Sequence, residues 1–446
     1  MQLNPTGNPT DLTPPAACDK PLRLMLAAAA SALLAPVHAQ AQDAPPGLRV
    51  PWQVDSAVLL YSEADGRVRA VEPVVAVRRT DAGDRTLSLK LTLDSLTGAS
   101  PSGAVPQPTA QTFTTPSGRA TYETPPGQIP LDPTFKDTRI ALNAGWEQPW
   151  RTDSRLLVGG HLSGEHDFVS ASANAALSHD YNQKNTTASL GLSLEFDTIK
   201  PEGGVPLGLT PMFGQLQKAA SEKRNVIDVL AGVTQVMSRT WLMQVNYSLG
   251  RSSGYHTDPY KLLSVVDGTT GLVTGDQYIA ESRPDTRTRQ SIFWQNKLHL
   301  ERGDVVDLAY RYYSDDWGIK AHTLDARYRW QWNERYHLEP HLRAYRQGAA
   351  DFYRTFLVEG VDYDSTAGRA GIGFASADSR LAGFSAMTVG LKFGMALPGK
   401  REFSVRLESY RQKLNQPANV PGALQGLDLT PDLKAVTLTA GYSFDF

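Results

Sequence analysis

The chain has 446 residues, a formal net charge of −2 at pH 7, 41% hydrophobic and 20% charged residues, and one cysteine, Cys18. The near-neutral charge gives no reason to expect nucleic-acid binding, and one cysteine excludes a disulfide framework. A chain of this length is either several soluble domains or one long all-β barrel.

The N-terminal segment has the pattern of a secretory signal peptide. A basic residue, Lys20, precedes the apolar run Leu22–Leu34, and small residues before Ala39 suit a signal peptidase. The apolar run is too short to anchor the chain in a bilayer. We predict a signal peptide with an atypically long n-region over 1–39, with cleavage two residues later as the alternative. A short periplasmic segment over 40–52 follows.

From residue 53 onward, apolar and polar residues alternate, as in Ala188-Ser-Leu-Gly-Leu-Ser-Leu-Glu-Phe196. A period of two predicts strands with one apolar and one polar face. Each segment has about the 9–11 residues of a tilted membrane strand. The predicted strands cover residues 53–62, 67–79, 85–96, 137–147, 154–163, 168–180, 186–198, 225–237, 240–252, 288–300, 304–314, 318–332, 335–346, 384–397, 401–413 and 434–446.

No run of eighteen apolar residues follows Ala41. Only helices and closed barrels satisfy the backbone inside lipid, so the pattern predicts an all-β fold. The prediction is a transmembrane antiparallel up-and-down β-barrel over 53–446 with about sixteen strands, fourteen being the alternative count. A soluble sandwich or solenoid would also alternate, but it would not sort its connections by length.

The connections between predicted strands alternate between tight turns and long loops. The long ones cover 97–136, 199–224, 253–287, 347–383 and 414–433. This is the pattern of a bacterial outer-membrane barrel with short periplasmic turns and long extracellular loops, and an even strand count places both termini in the periplasm. The first and fourth of these loops could fold into the lumen.

Aromatic residues mark the strand ends next to the tight turns. They predict an interface girdle in outer-membrane lipid, formed by Trp52, Trp146, Trp150, Trp241, Trp330 and Trp332. In the last strand, outward-facing Tyr442, Phe444 and Phe446 are the predicted signal for the outer-membrane assembly machinery, so deletion of Phe446 should impair assembly. That strand must pair with the first, near Val54–Tyr61, to remove the sheet edges.

The polar faces of predicted strands ten to thirteen place many charged residues in the lumen. Paired charges that stiffen the wall are one interpretation, and a selectivity patch that contacts an anionic solute through its arginines is the other. The candidates are Arg311, Arg327, Arg329, Arg343, Asp325 and Glu339. Three alternate residues, His337, Glu339 and His341, could contribute to a metal site, although ordinary lumen histidines are the simpler interpretation.

No grouping of Ser, His and an acid is evident, and no Cys-x-x-Cys-His motif is present. We therefore expect neither an enzyme nor a cofactor. The pattern favours a channel or transporter for a small polar solute. The alternatives are a barrel scaffold or sheath for an envelope redox or surface partner and, third, an outer-membrane enzyme.

Several long strings resemble a proteobacterial family of outer-membrane proteins that is catalogued only as a domain of unknown function. They include Tyr312-Tyr-Ser-Asp-Asp-Trp-Gly-Ile-Lys-Ala-His-Thr-Leu-Asp-Ala-Arg-Tyr-Arg-Trp330, Leu338-Glu-Pro-His-Leu-Arg-Ala-Tyr-Arg-Gln347 and Leu131-Asp-Pro-Thr-Phe-Lys-Asp-Thr-Arg139. The resemblance covers nearly the whole chain after the signal peptide. It implies a barrel without an established activity and an association with envelope redox proteins, including a flavin-attachment enzyme and a thioredoxin-like protein.

Overall fold

The computed structural model describes residues 51–64, 67–114, 121–212, 217–430 and 432–446, so the predicted signal peptide and almost all of segment 40–52 lie outside the described residues. Sixteen antiparallel strands form one closed barrel, as the alternation predicted. In the part of the chain that the structure describes, no helix is long and apolar enough to cross a membrane.

The barrel strands, β1 to β16 in chain order, each pair with their neighbours in sequence. They are Gln53–Glu63, Val68–Thr80, Thr86–Pro101, Leu131–Arg151, Ser154–Gly164, Phe168–Tyr181, Thr186–Ile199, Glu222–Ser238, Trp241–Gly254, Thr286–His299, Val305–Asp315, Lys320–Gln331, Tyr336–Gln347, Phe384–Leu397, Arg401–Leu414 and Leu433–Asp445. The count is sixteen rather than fourteen.

Two strands extend further than the alternation predicted. The third and fourth strands pair as far as Pro101 and Leu131, so part of the predicted loop 97–136 is strand. The extension lies beyond the apolar stretch of both strands, where backbone pairing continues although the outward residues are no longer apolar. Alternation in hydrophobicity therefore marks only the apolar band, and it predicts shorter strands for this hairpin than the structure has.

The outer face of the barrel is an apolar band. Large apolar side chains such as Leu89, Leu162, Leu190, Leu324 and Leu407 are exposed on it. Each such side chain favours an apolar environment over water by about 1.5–3 kcal/mol. A closed sheet with this outer surface is a membrane-spanning architecture, because it leaves no unpaired edge in contact with lipid.

The barrel closes by pairing of β1 with β16. Val58 lies opposite Ala440 in this register, within the predicted Val54–Tyr61 region. Beyond the strand ends, the Trp52 amide donates to the Phe446 carbonyl at 2.8 Å and the Phe446 amide donates to the Trp52 carbonyl at 2.9 Å. The predicted closure is therefore confirmed, and both ends of the barrel sequence lie at the same rim.

That rim also carries the tight turns, and we call it the short-turn end. In the turn between β2 and β3, the Asp81 carboxylate accepts hydrogen bonds from the amides of Gly83 and Arg85, and Asp84 adopts a positive φ of 61°. Asp at such positions stabilises a tight turn through its side chain. The opposite rim carries the long connections, and we call it the long-loop end.

Candidate functional site: the lumen and its cap

The structure places the predicted lumen residues on the inner face of β10–β13. Asp325 is in register with Arg343, and Arg327 is in register with His341. Their sequence neighbours Leu324 and Leu342 are exposed on the outer face. Along these strands, polar and apolar residues therefore lie on opposite faces of the wall.

A chain of ion pairs runs across the lumen wall, and we call it the lumen ladder: Asp325, Arg327, Glu339, His341, Arg406 and Glu408. The His341 ring lies between Asp325 and Glu408, with Nε2–Oδ2 and Nδ1–Oε1 distances of 3.0 and 2.8 Å. Arg406 bridges Glu339 at 2.8 Å and Glu408 at 3.3 Å. Arg327 Nε is 3.4 Å from Asp325. The ladder ties β12, β13 and β15 together across β14.

Two glycines of β14 make room for Glu408 of the ladder and for His337. A Cβ on Gly390 would lie 2.8 Å from Glu408 Cγ, and a Cβ on Gly394 would lie 2.0 Å from the His337 ring. Because β14 lies between β13 and β15, side chains from both neighbours occupy the space above it. A larger residue at Gly390 would displace the Glu408 side chain, and one at Gly394 would displace the His337 ring.

The four predicted selectivity arginines fall into two groups. Arg327 is paired with Asp325, and Arg329 Nη2 lies 3.3 Å from His337 Nδ1 near the short-turn end. In the described part of the chain, Arg311 and Arg343 have no carboxylate partner, and the buried Arg311 Nε has no hydrogen-bond partner. These two guanidinium groups therefore differ from the paired charges of the wall.

The predicted metal ligands do not come together. Glu339 is engaged by Arg406, and His341 is engaged by Asp325 and Glu408. His337 lies over Gly394, two residues before Glu339 on the same strand. Among the described residues, no group of three or more His, Cys, Asp or Glu side chains has an arrangement that could hold a metal ion.

At the long-loop end, the long connections fold together into a cap, made of the described residues of 102–130, 200–221, 255–285, 348–383 and 415–432. The Leu262 amide donates to the Ser102 carbonyl at 3.0 Å, although β5–β8 separate the two loops along the wall. Loops from distant strands can meet in this way only by reaching inward over the opening. The cap therefore crosses the mouth of the barrel.

The centre of the cap is a small sheet. Its middle strand, Leu262–Val266, is buried on both faces and pairs with Val273–Ala280 on one side and Leu357–Val358 on the other. An apolar cluster surrounds it and brings together residues of three loops: Leu263, Val265, Ile279, Leu357, Tyr363 and Ala375, with Leu209 packed against them. The cap therefore has its own hydrophobic core.

A buried ionic cluster joins the two longest cap loops, and we call it the cap latch: Asp258, Glu281, Arg283, Asp378 and Arg380. Arg283 contacts Glu281 at 2.6 Å and Asp378 at 2.7 Å. Arg380 contacts Asp258 at 2.9 Å and also holds Asp378. Four of the five latch residues are buried, so breaking one pair would leave an uncompensated charge.

Burial and charge set opposite pKa shifts in the cap. Burial raises the pKa of Glu281 to about 7, although Arg283 opposes this. Burial also raises the pKa of Asp167, whose carboxylate accepts a hydrogen bond from Tyr260 of the cap, to about 6. For Asp378, burial acts upward, but Arg380 and Arg283 hold the pKa below its usual range. The latch therefore contains one carboxyl group that titrates near neutral pH.

The cap packs directly on inward-facing residues of the wall. Tyr313, with 8% of its surface exposed, packs with Trp317 and Phe352 of the connecting loops, and Leu414 at 3% packs with Ala382. Further toward the short-turn end the lumen is open. The inward-facing side chains of Lys297 and Arg327 are 45% and 42% exposed. The lumen is thus filled near the cap and accessible to water below it.

A cavity of about 210 Å³ lies between the cap and the wall formed by β1–β3 and β15. It is large enough for several water molecules. Charged and polar groups of both parts line it, including Arg67, Ser100, Lys261, Asp378, Arg380 and Gln412. The cap latch therefore borders a polar space at the edge of the cap.

Two ion pairs on the other side of the lumen were not predicted from the sequence. Arg139 lies 3.5 Å from Asp94, and Arg224 lies 2.7 Å from Asp197, with all four residues buried. Asp94, Arg139 and Asp197 fall on the polar phase of predicted strands, so the alternation contained this signal. Arg224 precedes the predicted start of its strand, so the alternation could not assign it to a face of the wall.

The predicted rim aromatics lie at the short-turn end. Trp330 and Trp332 stack with ring centroids 6.2 Å apart, and Arg79 lies over the Trp52 ring. Tyr442, Phe444 and Phe446 form a row on the outer face, with successive centroids 5.5 and 6.1 Å apart. The girdle and the assembly signal remain predictions, to which the structure adds this placement.

Comparisons with known proteins identify a family. No curated protein matches the chain. Among solved structures, a bacterial polysaccharide outer membrane secretin is 9% identical (TM-score 0.42), with 90% of this chain and 99% of that chain covered. OccK3 (OpdO) of Pseudomonas aeruginosa is 11% identical (TM-score 0.38), with 89% and 96% covered.

The siderophore receptor PirA of Acinetobacter baumannii is 9% identical (TM-score 0.40); 82% of this chain aligns with 53% of the receptor, about half its length. The fold assignment therefore rests on the closed barrel itself. The family described as "Protein of unknown function (DUF3570)" matches residues 23–444.

Proposed function

Because the chain belongs to the DUF3570 family of proteins of unknown function, we propose a function from the geometry of its barrel. The protein is an outer-membrane channel or transporter that passes a small polar solute through a charged lumen. The proposal assigns it no enzymatic activity and no cofactor.

The observation that carries the proposal is the contrast between the two faces of the wall. Apolar side chains suited to contact with lipid cover the outside. The inside holds the lumen ladder, in which Arg327 is accessible to water, and the water-accessible Lys297. Fixed charges along a hydrated path lower the energetic barrier for a polar or charged solute. A barrel that served only as an anchor would not need an accessible lumen.

The orientation follows the usual arrangement of bacterial barrels. We place the short-turn end with both termini in the periplasm and the cap at the cell surface. The cap then stands between the external medium and the lumen. Transport requires the cap loops to move or the solute to pass along the cavity beside them.

Swelling of proteoliposomes tests this function. Vesicles with folded, heat-modifiable barrel should swell in isotonic solutions of small polar solutes faster than vesicles with the same amount of heat-denatured protein. Swelling at the rate of the denatured control, for every small solute tried, would overturn the channel proposal.

The cap favours a second candidate function, because a barrel closed at one end also suits a scaffold or sheath. An envelope redox protein or a surface partner would then bind at the accessible short-turn end. Co-purification of the tagged barrel from native membranes separates the two candidates. Stable recovery of one stoichiometric partner supports the scaffold, and its absence supports the channel.

A further inference from the structure

We infer that Arg311 and Arg343 form a binding site for small anions that carry a carboxylate or phosphate group. The site lies where the open lumen meets the cap. This inference rests on the proposed channel function, for which it names the class of solute.

The surroundings of Arg311 indicate a missing acceptor. It lies on β11 in register with Phe293 and Thr323, and its guanidinium lies 5.7 Å from the Tyr313 ring centroid. Its buried Nε has no hydrogen-bond partner. A buried donor left unsatisfied costs about 1–3 kcal/mol. A bound anion would supply the acceptor that these neighbours do not.

Arg343 is the second arginine of the site. It is exposed to the lumen on β13, in register with Asp325 and Thr388. The Asp325 carboxylate is already engaged by His341 and Arg327. The Arg343 guanidinium is therefore available to a solute from the open side.

The local charge is positive. The charges of Arg343 and Arg289 both act on Arg311, and among the described residues only Arg289 of these three has a carboxylate at ion-pair distance, Asp228 at 3.2 Å. Two like charges beside a low-dielectric wall repel each other, and an anion between them removes the repulsion. Guanidinium groups bind carboxylates and phosphates through paired, charge-assisted hydrogen bonds.

The position of the site fits a step in transport. Tyr313, whose ring centroid lies 5.7 Å from the Arg311 guanidinium, belongs to the cluster that the cap buries with Trp317 and Phe352. An anion at this site would occupy the last accessible point of the lumen before the cap. The other two predicted arginines, Arg327 and Arg329, lie nearer the short-turn end and are engaged.

Single-channel recording in planar bilayers tests the inference. Inorganic phosphate and malonate serve as probes of the phosphate and carboxylate classes, added at increasing concentration in KCl. We expect saturable reduction of the current in the unmodified barrel. Arg311→Gln and Arg343→Gln should each raise the half-blocking concentration by about tenfold or more, since charge-assisted hydrogen bonds are lost.

Lys297→Gln is the matched control. It removes one inward-facing positive charge nearer the short-turn end, where Lys297 is paired with Asp307 at 3.5 Å. Its half-blocking concentration should stay within about twofold of the unmodified value, because only general screening changes. Block by neither probe, or equal loss of block in all three variants, would overturn the site.

A second readout keeps the inference separate from the channel function. If the folded barrel does not conduct, isothermal titration of the detergent-solubilised protein with the same probes measures binding directly. Binding that Arg311→Gln and Arg343→Gln abolish would support the site while the channel proposal fails. Absence of binding in the unmodified barrel would overturn the site itself.

Discussion

In the lumen wall, a large side chain on one strand fills the space that a glycine leaves on the neighbouring strand. Gly394 leaves the space that the His337 ring fills, since a Cβ there would lie 2.0 Å from the ring. Gly394→Ala should therefore destabilise the barrel by about 1–3 kcal/mol, as overpacking does. Urea unfolding of the detergent-solubilised barrel, followed by heat-modifiable mobility, measures this.

Gly191→Ala is the control for this variant, because its Cβ would meet Ala176 at an ordinary 3.6 Å. His337→Ala in the Gly394→Ala background should restore most of the lost stability. Equal stability of the two glycine variants would contradict the packing assigned to His337.

Which face each residue occupies could be predicted from the alternation, but its partner could not. Asp325 is adjacent in register to Arg343, yet it binds His341 and Arg327. The lengths of the side chains and the glycine positions on β14 decide which partner Asp325 binds. The effect of both depends on the register between strands that are far apart in sequence. The split between paired and free arginines was therefore beyond sequence analysis.

The cap is the element that the sequence described least well. The run Leu262-Leu-Ser-Val-Val266 is the signal that could have shown it, because four apolar residues out of five inside a predicted extracellular loop indicate burial on both faces. The cap latch could not have been found in this way. Arg283 and Asp378 meet from two different loops, and neither loop has a periodic pattern.

The latch gives the cap a pH dependence. Burial raises the pKa of Glu281 to about 7, so the folded cap binds this proton more tightly than the unfolded loop does. Its ionisation between about pH 4.5 and 7 therefore lowers cap stability as the pH rises, and Asp167 acts in the same direction up to about pH 6. The opposite contribution of Asp378 is lost only below its usual range, under about pH 4.

We expect amides of the central cap strand to exchange hydrogen at least about tenfold more slowly at pH 5 than at pH 8, after correction for the intrinsic rates. Glu281→Gln keeps the shape of the side chain and should flatten most of this dependence. Protection that increases with pH, or an unchanged slope in the variant, would contradict the assignment.

For the whole molecule, the period-two alternation was sufficient to predict the barrel, because every strand follows the same rule. Every strand needs an apolar face outward, and closure needs the first and last strands to pair, as β1 and β16 do. The same rule says nothing about what crosses the mouth. The state of the lumen is decided by loops whose contacts are long-range, and those contacts distinguish an open pore from a capped one.

We propose that this barrel conducts and that its cap controls passage. Ser282 and Ala375 exchange both backbone hydrogen bonds, at 2.9 and 3.0 Å, across the two latch loops. Such a pair has the Cα separation that a disulfide needs. The only native cysteine, Cys18, precedes the barrel, so a Ser282→Cys, Ala375→Cys variant would carry one defined crosslink.

The decisive measurement is the planar-bilayer conductance of this double variant, recorded oxidised and then after reduction. We expect discrete current steps that are rare or small in the oxidised protein and return to the unmodified level on reduction. Absence of steps from a folded, inserted barrel in both redox states would contradict conduction, and identical steps in both states with complete crosslinking would contradict control by the cap.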